Sequence, residues 1–323
     1  MSDLRHAHSF HRVAAEPEHL SSVWDNAAAP VLEIESGEAV GFECADASGG
    51  QLSKSSTADD VTAMDMEKVN PVTGPVFLKG AAPGDTLAIE ILELTPADWG
   101  WTAIIPNFGL LAPEFPEPWL NISQVDAANR QVHFAPGVTL PFEPFPGTIG
   151  VAPQQPGQFS VLPPTKWGGN IDVKHLRPGS TLYLPVGVEG ALFSVGDTHG
   201  AMGDAEVCGT AVETAMNITV RLTVRKEMAI RYPQFDIPAT ELARTEQSSY
   251  HVCTGVHDDL MEAAREATRA AVAHIQETHG RSREEAYAIA STACDVRIHE
   301  LVDAPNWVVG AFIPEAIFTP ETS

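Results

Sequence analysis

The side chains best placed to carry out chemistry lie in one glycine-punctuated loop. Asp197, His199, Asp204 and Glu206 stand between two apolar runs, with glycines at positions 196, 200 and 203. Glycine accepts tight turns, which would aim all four side chains at one point. Carboxylate oxygens and an imidazole nitrogen are ligands that divalent cations take in proteins. The spacing alone is compatible both with a metal site and with an ordinary polar turn between two strands.

Further polar side chains lie at turns or at the ends of strands. A Gly-Gly turn at positions 168 and 169 precedes one pair, and another acid lies on the strand that leaves the loop. The additional candidates are Asn170, Asp172, Glu213, Asp46 and Asp65. The structural alternatives are an Asx turn after the two glycines and a helix cap at Asp65.

A cysteine nucleophile is a second kind of chemistry to consider. Cys44, Cys208, Cys253 and Cys294 are widely spaced and form no C-x-x-C pair, so neither a disulfide framework nor a zinc ribbon is indicated. Cys208 follows the acidic loop, but it also lies in an apolar alternation, where a free cysteine behaves as a small buried hydrophobic residue. A cysteine hydrolase that uses Cys208 therefore stays an alternative.

The charge balance excludes some classes of partner. The chain has 323 residues with 19 Lys and Arg against 43 Asp and Glu, a formal net charge of −24. Nucleic-acid binding requires basic side chains that neutralise phosphates, so this partner is not expected. No apolar run approaches the roughly 18 residues of a membrane-spanning helix, and positions 1–6 show no signal-like pattern. We therefore expect a cytoplasmic protein that does not bind membranes.

Alternating apolar residues predict a mainly β body at residues 1–255. Strands are indicated where short apolar runs are bounded by turns, and the clearest are 31–34, 39–44, 86–94, 181–186 and 217–225. Many short strands of this kind are typical of a β-sandwich or barrel. Similar Pro-Gly turns before 86–94 and 181–186 suggest a duplicated β unit. The segment 99–169 lacks periodicity and predicts long loops with short strands.

The C-terminal part of the chain changes character. Residues 258–275 are rich in alanine, with apolar residues at helical spacing, an acidic start and Gly280 as the stop. Ser282 and Glu285 give a capping-box pattern for a second helix that runs through Ala293. We therefore expect a helical pair within 256–323 that packs on the β body.

Several motifs in a fixed order resemble the acetamidase/formamidase family, and the resemblance covers nearly the whole chain. They are the segment Val69 to Pro75, Gly84-Asp85, Gly168-Gly169-Asn170-x-Asp172, Leu182 to Val186, Gly196-Asp197-x-His199-x-x-x-Gly203-Asp204-x-Glu206, Glu213, and Glu284 to Asp295. Each motif alone is modest, but their order and combination are specific to that family.

The resemblance implies a mainly β fold, a jelly-roll-like sandwich with C-terminal helices, and a cytosolic homo-oligomer. It also implies an amidohydrolase that converts short carboxamides into a carboxylic acid and ammonia. The loop departs from the family pattern Gly-Asp-x-His-Ala-x-Gln-Gly-Asp-Gly-Glu, with Gly200, Met202 and Ala205 where Ala, Gln and Gly are usual. A thioether in place of an amide predicts a larger or more apolar substrate than formamide.

A metal-assisted mechanism gives each candidate residue a role. A divalent metal polarises an amide carbonyl and lowers the pKa of its bound water toward about 7. Zinc is the first choice because of the histidine, whereas calcium or magnesium would suit the oxygen ligands. The expected ligands are Asp197, His199, Asp204 and Asp172. The remaining candidates are Glu206 or Glu213 for proton transfer, Asn170 for the developing oxyanion, and Met202, Asp65 and Asp46 for substrate contacts.

A function of another class stays open beside the two hydrolases. A non-catalytic β-sandwich protein would bind a small ligand or a metal without turnover. Such a protein would leave the pairing of acids in the loop without an explanation.

Overall fold

A computed structural model describes residues 10–237, 249–300 and 307–318. The strands are β1 (Phe10–Val13), β2 (Leu20–Ser21), β3 (Val23–Asp25), β4 (Leu32–Ile34), β5 (Ala39–Cys44), β6 (Val72–Leu78), β7 (Thr86–Pro96), β8 (Trp99–Ile104), β9 (Trp119–Asp126), β10 (Gln131–Ala135), β11 (Val138–Pro141), β12 (Phe145–Val151), β13 (Gln158–Ser160), β14 (Gly168–Asn170), β15 (Thr181–Pro185), β16 (Phe193–His199), β17 (Met216–Arg225), β18 (Gln234–Asp236), β19 (Tyr250–His257), β20 (Asp295–Glu300) and β21 (Trp307–Pro314). The α-helices are α1 (Ala58–Ala63), α2 (Leu260–His279) and α3 (Arg283–Ala293), and single 3-10 turns lie at Pro17–His19, Ala112–Glu114 and Glu315–Ile317.

Two large sheets face each other and enclose the main hydrophobic core. One has the strand order β1-β5-β17-β7-β15-β18, and the other has the order β14-β12-β16-β6-β2 with β4 parallel to β6. In β17 every second side chain from Met216 to Leu222 is buried, as expected for a strand with one face on the core. Phe42 of β5 and Phe193 of β16 meet across the core with ring centroids 5.6 Å apart. The predicted mainly β fold is confirmed.

The five strands expected from the sequence are present as β4, β5, β7, β15 and β17. The first two do not pair with each other across the turn between them. β4 pairs with β6, whereas β5 pairs with β1 and β17, so the connection at 35–38 crosses from one large sheet to the other. The Gly37 amide donates to the Leu222 carbonyl at 2.7 Å, which ties the crossing to β17.

The segment 99–169 contains more regular structure than the sequence predicted. Strands β8 to β11 form an antiparallel sheet in the order β11-β10-β9-β8, and β12 belongs to the second large sheet. The first four residues of β9 are all half-buried rather than alternately buried and exposed. A strand of this kind leaves no period-two pattern in the sequence, which explains why it was missed.

Both predicted C-terminal helices are confirmed, and they belong to a small α/β unit. The Asp259 side chain caps α2 by accepting a hydrogen bond from the Glu262 amide at 3.0 Å, and Gly280 ends this helix in a left-handed conformation. Ser282 caps α3 in the same way. The sequence did not reveal the sheet β19-β21-β20 that accompanies the helices. The boundary placed at 255/256 falls within β19.

Helix α2 packs a face of small residues against this sheet. Ala263, Ala267 and Ala271 are fully buried. A Cβ on Gly255 of β19 would lie 2.1 Å from the Ala263 carbonyl oxygen, so small residues on both elements allow a close approach. None of the described helices, α2 included, is long and apolar enough to cross a membrane.

The duplicated β unit stays a prediction, but its two turns are related in space. β7 and β15 pair antiparallel. The Gly84 amide donates to the Val186 carbonyl at 3.1 Å, and the Gly179 amide donates to the Ile91 carbonyl at 2.9 Å. Each Pro-Gly turn is therefore bonded to the chain segment that follows the other turn.

Candidate functional site

His199 is the centre of a buried group of acidic side chains, which we name the acid cluster. β16 carries Asp197 and ends at His199, and the backbone of Glu213 pairs with that of His199. From His199 Nε2 the distances are 3.2 Å to Glu213 Oε2, 3.3 Å to Asp197 Oδ1 and 4.0 Å to Glu206 Oε1. Three of the predicted carboxylates therefore meet at one imidazole nitrogen.

Asp172 completes the acid cluster from the other side of the imidazole ring. It follows β14, and its Oδ1 atom lies 4.0 Å from His199 Nδ1. This approach depends on Gly147 of β12, where a Cβ would lie 2.6 Å from His199 Cε1 and 2.7 Å from Asp172 Oδ1. Glycine at this position leaves the room that the two side chains need.

Three carboxylates of the acid cluster are held on left-handed backbone. The φ angle is 46° at Asp172, 50° at Asp197 and 43° at Glu206. Residues other than glycine rarely adopt this conformation, which costs on the order of 1–2 kcal/mol for each residue. The surrounding contacts must maintain it, and backbone strain of this kind concentrates at functional sites.

Asn70 and Thr148 orient Asp197 and Asn170. The Asn70 Nδ2 group donates to Asp197 Oδ2 at 2.9 Å and lies 3.4 Å from Asn170 Oδ1. The Thr148 hydroxyl lies 2.6 Å from Asn170 Oδ1 and 3.1 Å from Asp197 Oδ2. Because a carboxylate only accepts hydrogen bonds, the Asn70 atom that faces it is the amide nitrogen. Asn170 therefore turns its carbonyl oxygen to these donors and has its NH₂ group left for other contacts.

Burial and mutual repulsion shift the protonation of the acid cluster. Burial raises the pKa of Glu206 well above its ordinary value, and the nearby Asp172 carboxylate adds to the shift. Burial also raises the pKa of Glu213, and it raises that of Asp172 to about 7. Burial alone would lower the pKa of His199, but the carboxylates of Glu213 and Asp197 outweigh it and raise this pKa well above its ordinary value. The acid cluster therefore favours bound protons or a bound cation.

Three buried polar atoms of the acid cluster have no hydrogen-bond partner among the described residues: Asp172 Oδ1, His199 Nδ1 and Glu213 Oε2. Unpartnered buried polar groups are costly. Two sets of side chains offer ligand atoms within 4.8 Å of one another, namely Asp172, Asp197 and His199, and His199, Glu206 and Glu213. One imidazole with several carboxylates is a donor set that fits a divalent cation such as zinc, calcium or magnesium.

The acid cluster borders a cavity of about 230 Å³. The rest of its lining is largely apolar, and the apolar side chains are Ala47, Met64, Met66, Val69, Trp101, Ile105, Pro106, Phe108 and Leu162. Met66, Phe108 and Leu162 are 50%, 51% and 37% exposed, so they lie at the opening. An apolar cavity with a few convergent polar groups is typical of a small-molecule site.

Asp204, which the sequence predicts as a metal ligand, lies outside the acid cluster. Its carboxylate lies 3.5 Å from Lys174 Nζ, and its amide donates to Asp295 Oδ1 at 3.0 Å. The backbone is left-handed at both Ala205 and Glu206. The chain therefore turns between the two acids, and their side chains do not share a face as they would on extended backbone.

The three predicted substrate contacts also lie outside the cavity lining. Met202 is buried against Phe145, whose ring packs edge-on to the imidazole. Asp46 is buried and accepts a hydrogen bond from Trp101 Nε1 at 2.9 Å, so it supports a lining residue instead. Asp65 is exposed after the end of α1 and pairs with Lys68, three residues along the chain. Spacing in the sequence does not reveal which way a loop side chain points, so it could not place these three side chains relative to the cavity.

Cys208 is a core residue in the structure. Its thiol is fully buried and faces the carbonyl oxygens of Ala103 and Thr210 at 3.5 and 3.6 Å. Burial raises the pKa of this thiol, which disfavours the thiolate that a nucleophile needs. Because Cys208 also does not line the cavity, the geometry argues against a cysteine hydrolase.

Four residues of the site were not identified from the sequence: Asn70, Trp101, Gly147 and Thr148. Asn70 has a φ of 49° before a proline, and asparagine is one of the few residues that tolerate this conformation. The Asn-Pro pair is therefore a sequence signal for a left-handed backbone conformation at Asn70. Gly147 and Thr148 carry no local signal, because their role arises from contacts with residues more than twenty positions away.

Replacement of Gly147 by alanine is expected to destabilise the fold. The new Cβ would overlap His199 and Asp172, and overpacking of this kind costs about 1–3 kcal/mol. Thermal unfolding should therefore occur at a lower temperature. Gly200→Ala is the matched control, because the nearest atom to a Cβ there is in Phe142 at 3.4 Å. An unchanged melting temperature for Gly147→Ala would contradict this packing.

Known proteins resemble this chain over most of its length. The profile of the acetamidase/formamidase family matches residues 8–158 and 157–320. A formamidase of Methylophilus methylotrophus is 26% identical over 358 residues, which cover 89% of this chain and 86% of that protein. A relative from Schizosaccharomyces pombe is 29% identical over 263 residues, which cover 62% of this chain and 64% of that protein, so the chain spans just under two thirds of it.

The fold also has a close counterpart among solved structures. A γ-lactamase from Delftia acidovorans superposes with a TM-score of 0.88 at 24% identity, over 96% of this chain and 94% of that one. At this identity the likeness concerns the fold alone. The family profile, in contrast, matches the sequence over nearly its whole length. The chain therefore belongs to the acetamidase/formamidase family.

Proposed function

We propose that this chain hydrolyses a carboxamide to a carboxylic acid and ammonia at the acid cluster. The observation that carries the proposal is the grouping of one buried imidazole and four carboxylates, with three unpartnered polar atoms, beside a largely apolar cavity. Membership of the acetamidase/formamidase family supports the reaction class.

A divalent cation is part of the proposal. The side chains that would hold it are Asp172, Asp197 and His199, which leaves Glu206 and Glu213 for proton transfer. When bound, such a cation supplies polarisation of the amide carbonyl and a water of lowered pKa. Zinc is our first choice because of the imidazole, and calcium or magnesium would suit the carboxylates. The unpartnered atoms in the acid cluster support the choice of a cation over a purely hydrogen-bonded site.

Glu206 is our preferred carrier of the proton, with Glu213 as the alternative. Glu213 is already engaged, because its Oε1 accepts a hydrogen bond from the Ala211 amide at 2.8 Å. The Glu206 side chain is 16% exposed and lines the cavity. A carboxylate so placed takes a proton from the attacking water and delivers it to the leaving nitrogen.

Asn170 is assigned to the carbonyl oxygen of the substrate. Its own carbonyl oxygen is held by Thr148 and Asn70, and the residue lines the cavity. Its NH₂ group can therefore donate to the negative charge that develops on the carbonyl oxygen during attack. A single donor of this kind contributes about 3–4 kcal/mol to the stability of a transition state.

The cavity favours an amide that is larger and more apolar than formamide. A water molecule takes up roughly 30 Å³ in the liquid, so formamide would fill only a small part of the 230 Å³. Trp101, Ile105 and Phe108 offer apolar surface to an acyl group. We therefore propose a primary amide with several carbons in its acyl group, and the support comes from these residues rather than from Met202.

We also propose that the chain works as a cytoplasmic homo-oligomer, as the family resemblance implies. The mass of the purified protein in solution, measured by light scattering, tests the assembly. A mass equal to that of one chain would contradict it.

Metal removal is expected to abolish ammonia release. The carboxylates of the acid cluster repel one another without a cation, and the amide carbonyl loses its polarisation. Purified protein should contain a divalent metal by elemental analysis, lose activity on chelation, and regain it with zinc, calcium or magnesium. Full activity in a preparation verified as metal-free would overturn the metal assignment.

Two substitutions separate the metal mechanism from the cysteine alternative. His199→Ala should lower both metal content and turnover, because it removes the imidazole from the acid cluster. Cys208→Ala is the control and should keep both, because its thiol faces backbone carbonyls outside the cavity. The opposite pattern would restore the cysteine hydrolase. Ligand binding without turnover in the wild type would favour a non-catalytic protein.

Substrate preference is expected to rise with the size of an apolar acyl group. Each buried CH₂ contributes about 0.8 kcal/mol, so kcat/KM should increase about fourfold per carbon from acetamide toward hexanamide. Phe108→Ala should flatten this trend because Phe108 lines the cavity. Phe159→Ala, which removes an exposed ring on β13, is the control. A preference for formamide over every longer amide would refute the proposed substrate class.

A further inference from the structure

Beside the acid cluster, four charged side chains form a second group around the buried Lys174 amine. Lys174 pairs with Asp295, and its Nζ atom also lies 3.5 Å from Asp204 Oδ2. The second oxygen of Asp295 lies 2.5 Å from Arg297 Nη2. The side chains of Lys174 and Asp295 are 6% and 2% exposed. Two cations thus balance two carboxylates, and we name this group the Lys174 cluster.

The Lys174 cluster joins three segments of the chain. Lys174 lies two positions after Asp172, and Asp204 lies two positions before Glu206. Asp295 begins β20, and only Cys294 separates it from the end of α3. A single amine therefore ties both loops that carry carboxylates of the acid cluster to the C-terminal unit.

Helix α3 and the residue that follows it hold the loop at 200–210 as well. The Gly203 amide donates to the Ser291 carbonyl at 2.8 Å, and a Cβ on Gly203 would lie 1.8 Å from the Cys294 carbonyl oxygen. The Tyr287 hydroxyl donates to the Val207 carbonyl. The loop is therefore seated directly on the C-terminal unit.

Both loops need such an external hold because their backbone is left-handed at the carboxylates. The φ angle is 46° at Asp172, 81° at Ala205 and 43° at Glu206. Local preferences alone would relax these angles and move the carboxylates. A displacement on the order of 1 Å at a reacting centre can cost about 100-fold in rate.

We infer that Lys174 is a positioning residue, which acts through Asp204 and Asp295 to hold Asp172 and Glu206 in the acid cluster. Its ammonium does not line the cavity and acts through the two loops. The expected effect of Lys174 on turnover rests on the proposed function. The expected effect on the conformational order of the two loops rests on the geometry alone.

Arg297 provides a matched comparison. It pairs with the same Asp295 carboxylate as Lys174 does, but it lies on β20 within the C-terminal unit. Loss of either cation leaves the same buried carboxylate less compensated, so both losses should reduce stability. A purely structural role for Lys174 would give the pattern expected for Arg297, namely a lower melting temperature with kcat unchanged.

The test compares Lys174→Met, Asp204→Asn and Arg297→Met in the full chain. The readouts are kcat and KM on the best amide, and hydrogen–deuterium exchange of the segments 168–175 and 200–210. We expect Lys174→Met and Asp204→Asn to lower kcat about 10- to 100-fold with a smaller change in KM, and to speed exchange in both segments. Arg297→Met should leave both readouts near those of the wild type although its melting temperature falls.

A double variant separates the loss of kcat from a loss of folding stability in Lys174→Met. Lys174→Met with Asp295→Asn removes the buried Asp295 carboxylate together with the amine, and leaves only the 34% exposed Asp204 carboxylate without its cation. The double variant should therefore recover melting temperature without recovering kcat. Equal effects of Lys174→Met and Arg297→Met on kcat and exchange, or recovery of kcat in the double variant, would overturn the inference. If the wild type released ammonia from no amide, the proposed function would fail, whereas the exchange comparison would still decide the role of Lys174.

Discussion

Four carboxylates share a buried space with one imidazole, and the charge balance of this space governs the rest of the site. Buried carboxylates are costly unless protons, cations or hydrogen-bond donors compensate them. Within the described parts of the chain the fixed donors are few: Asn70 and Thr148 reach Asp197, and the Ala211 amide reaches Glu213. The atoms that these donors do not satisfy face one another around the imidazole. This imbalance is the physical basis on which we propose a bound cation.

The fold serves this requirement by bringing distant segments to one point. β16 supplies the imidazole, β12 supplies the glycine that lets Asp172 approach it, and the C-terminal unit holds the loop that carries Glu206. The left-handed backbone at three of the carboxylates shows that the arrangement is held against local preference. The geometry of the acid cluster and the C-terminal unit are therefore joined by the contacts of Lys174 and α3.

Much of this could be predicted from the sequence where the signal is local. The long alternating strands β7 and β17 and the capped helices α2 and α3 carry such signals, and the motif residues His199 and Asp197 were identified together. The outward turn of Asp204 could not be predicted, because it depends on the φ angles of the next two residues. The partners of β4 and the sheet of β19 to β21 depend on residues far away in the chain, which no local pattern encodes.

The most direct test of the account is an anomalous diffraction map from crystals of the purified, active protein, recorded at the absorption edge of the metal found by elemental analysis. The account predicts a peak bonded to His199 and to at least two carboxylates of the acid cluster. The account would be contradicted if the map showed only water between the side chains of the acid cluster, while protein from the same crystals, once redissolved, hydrolysed the amide at the full rate.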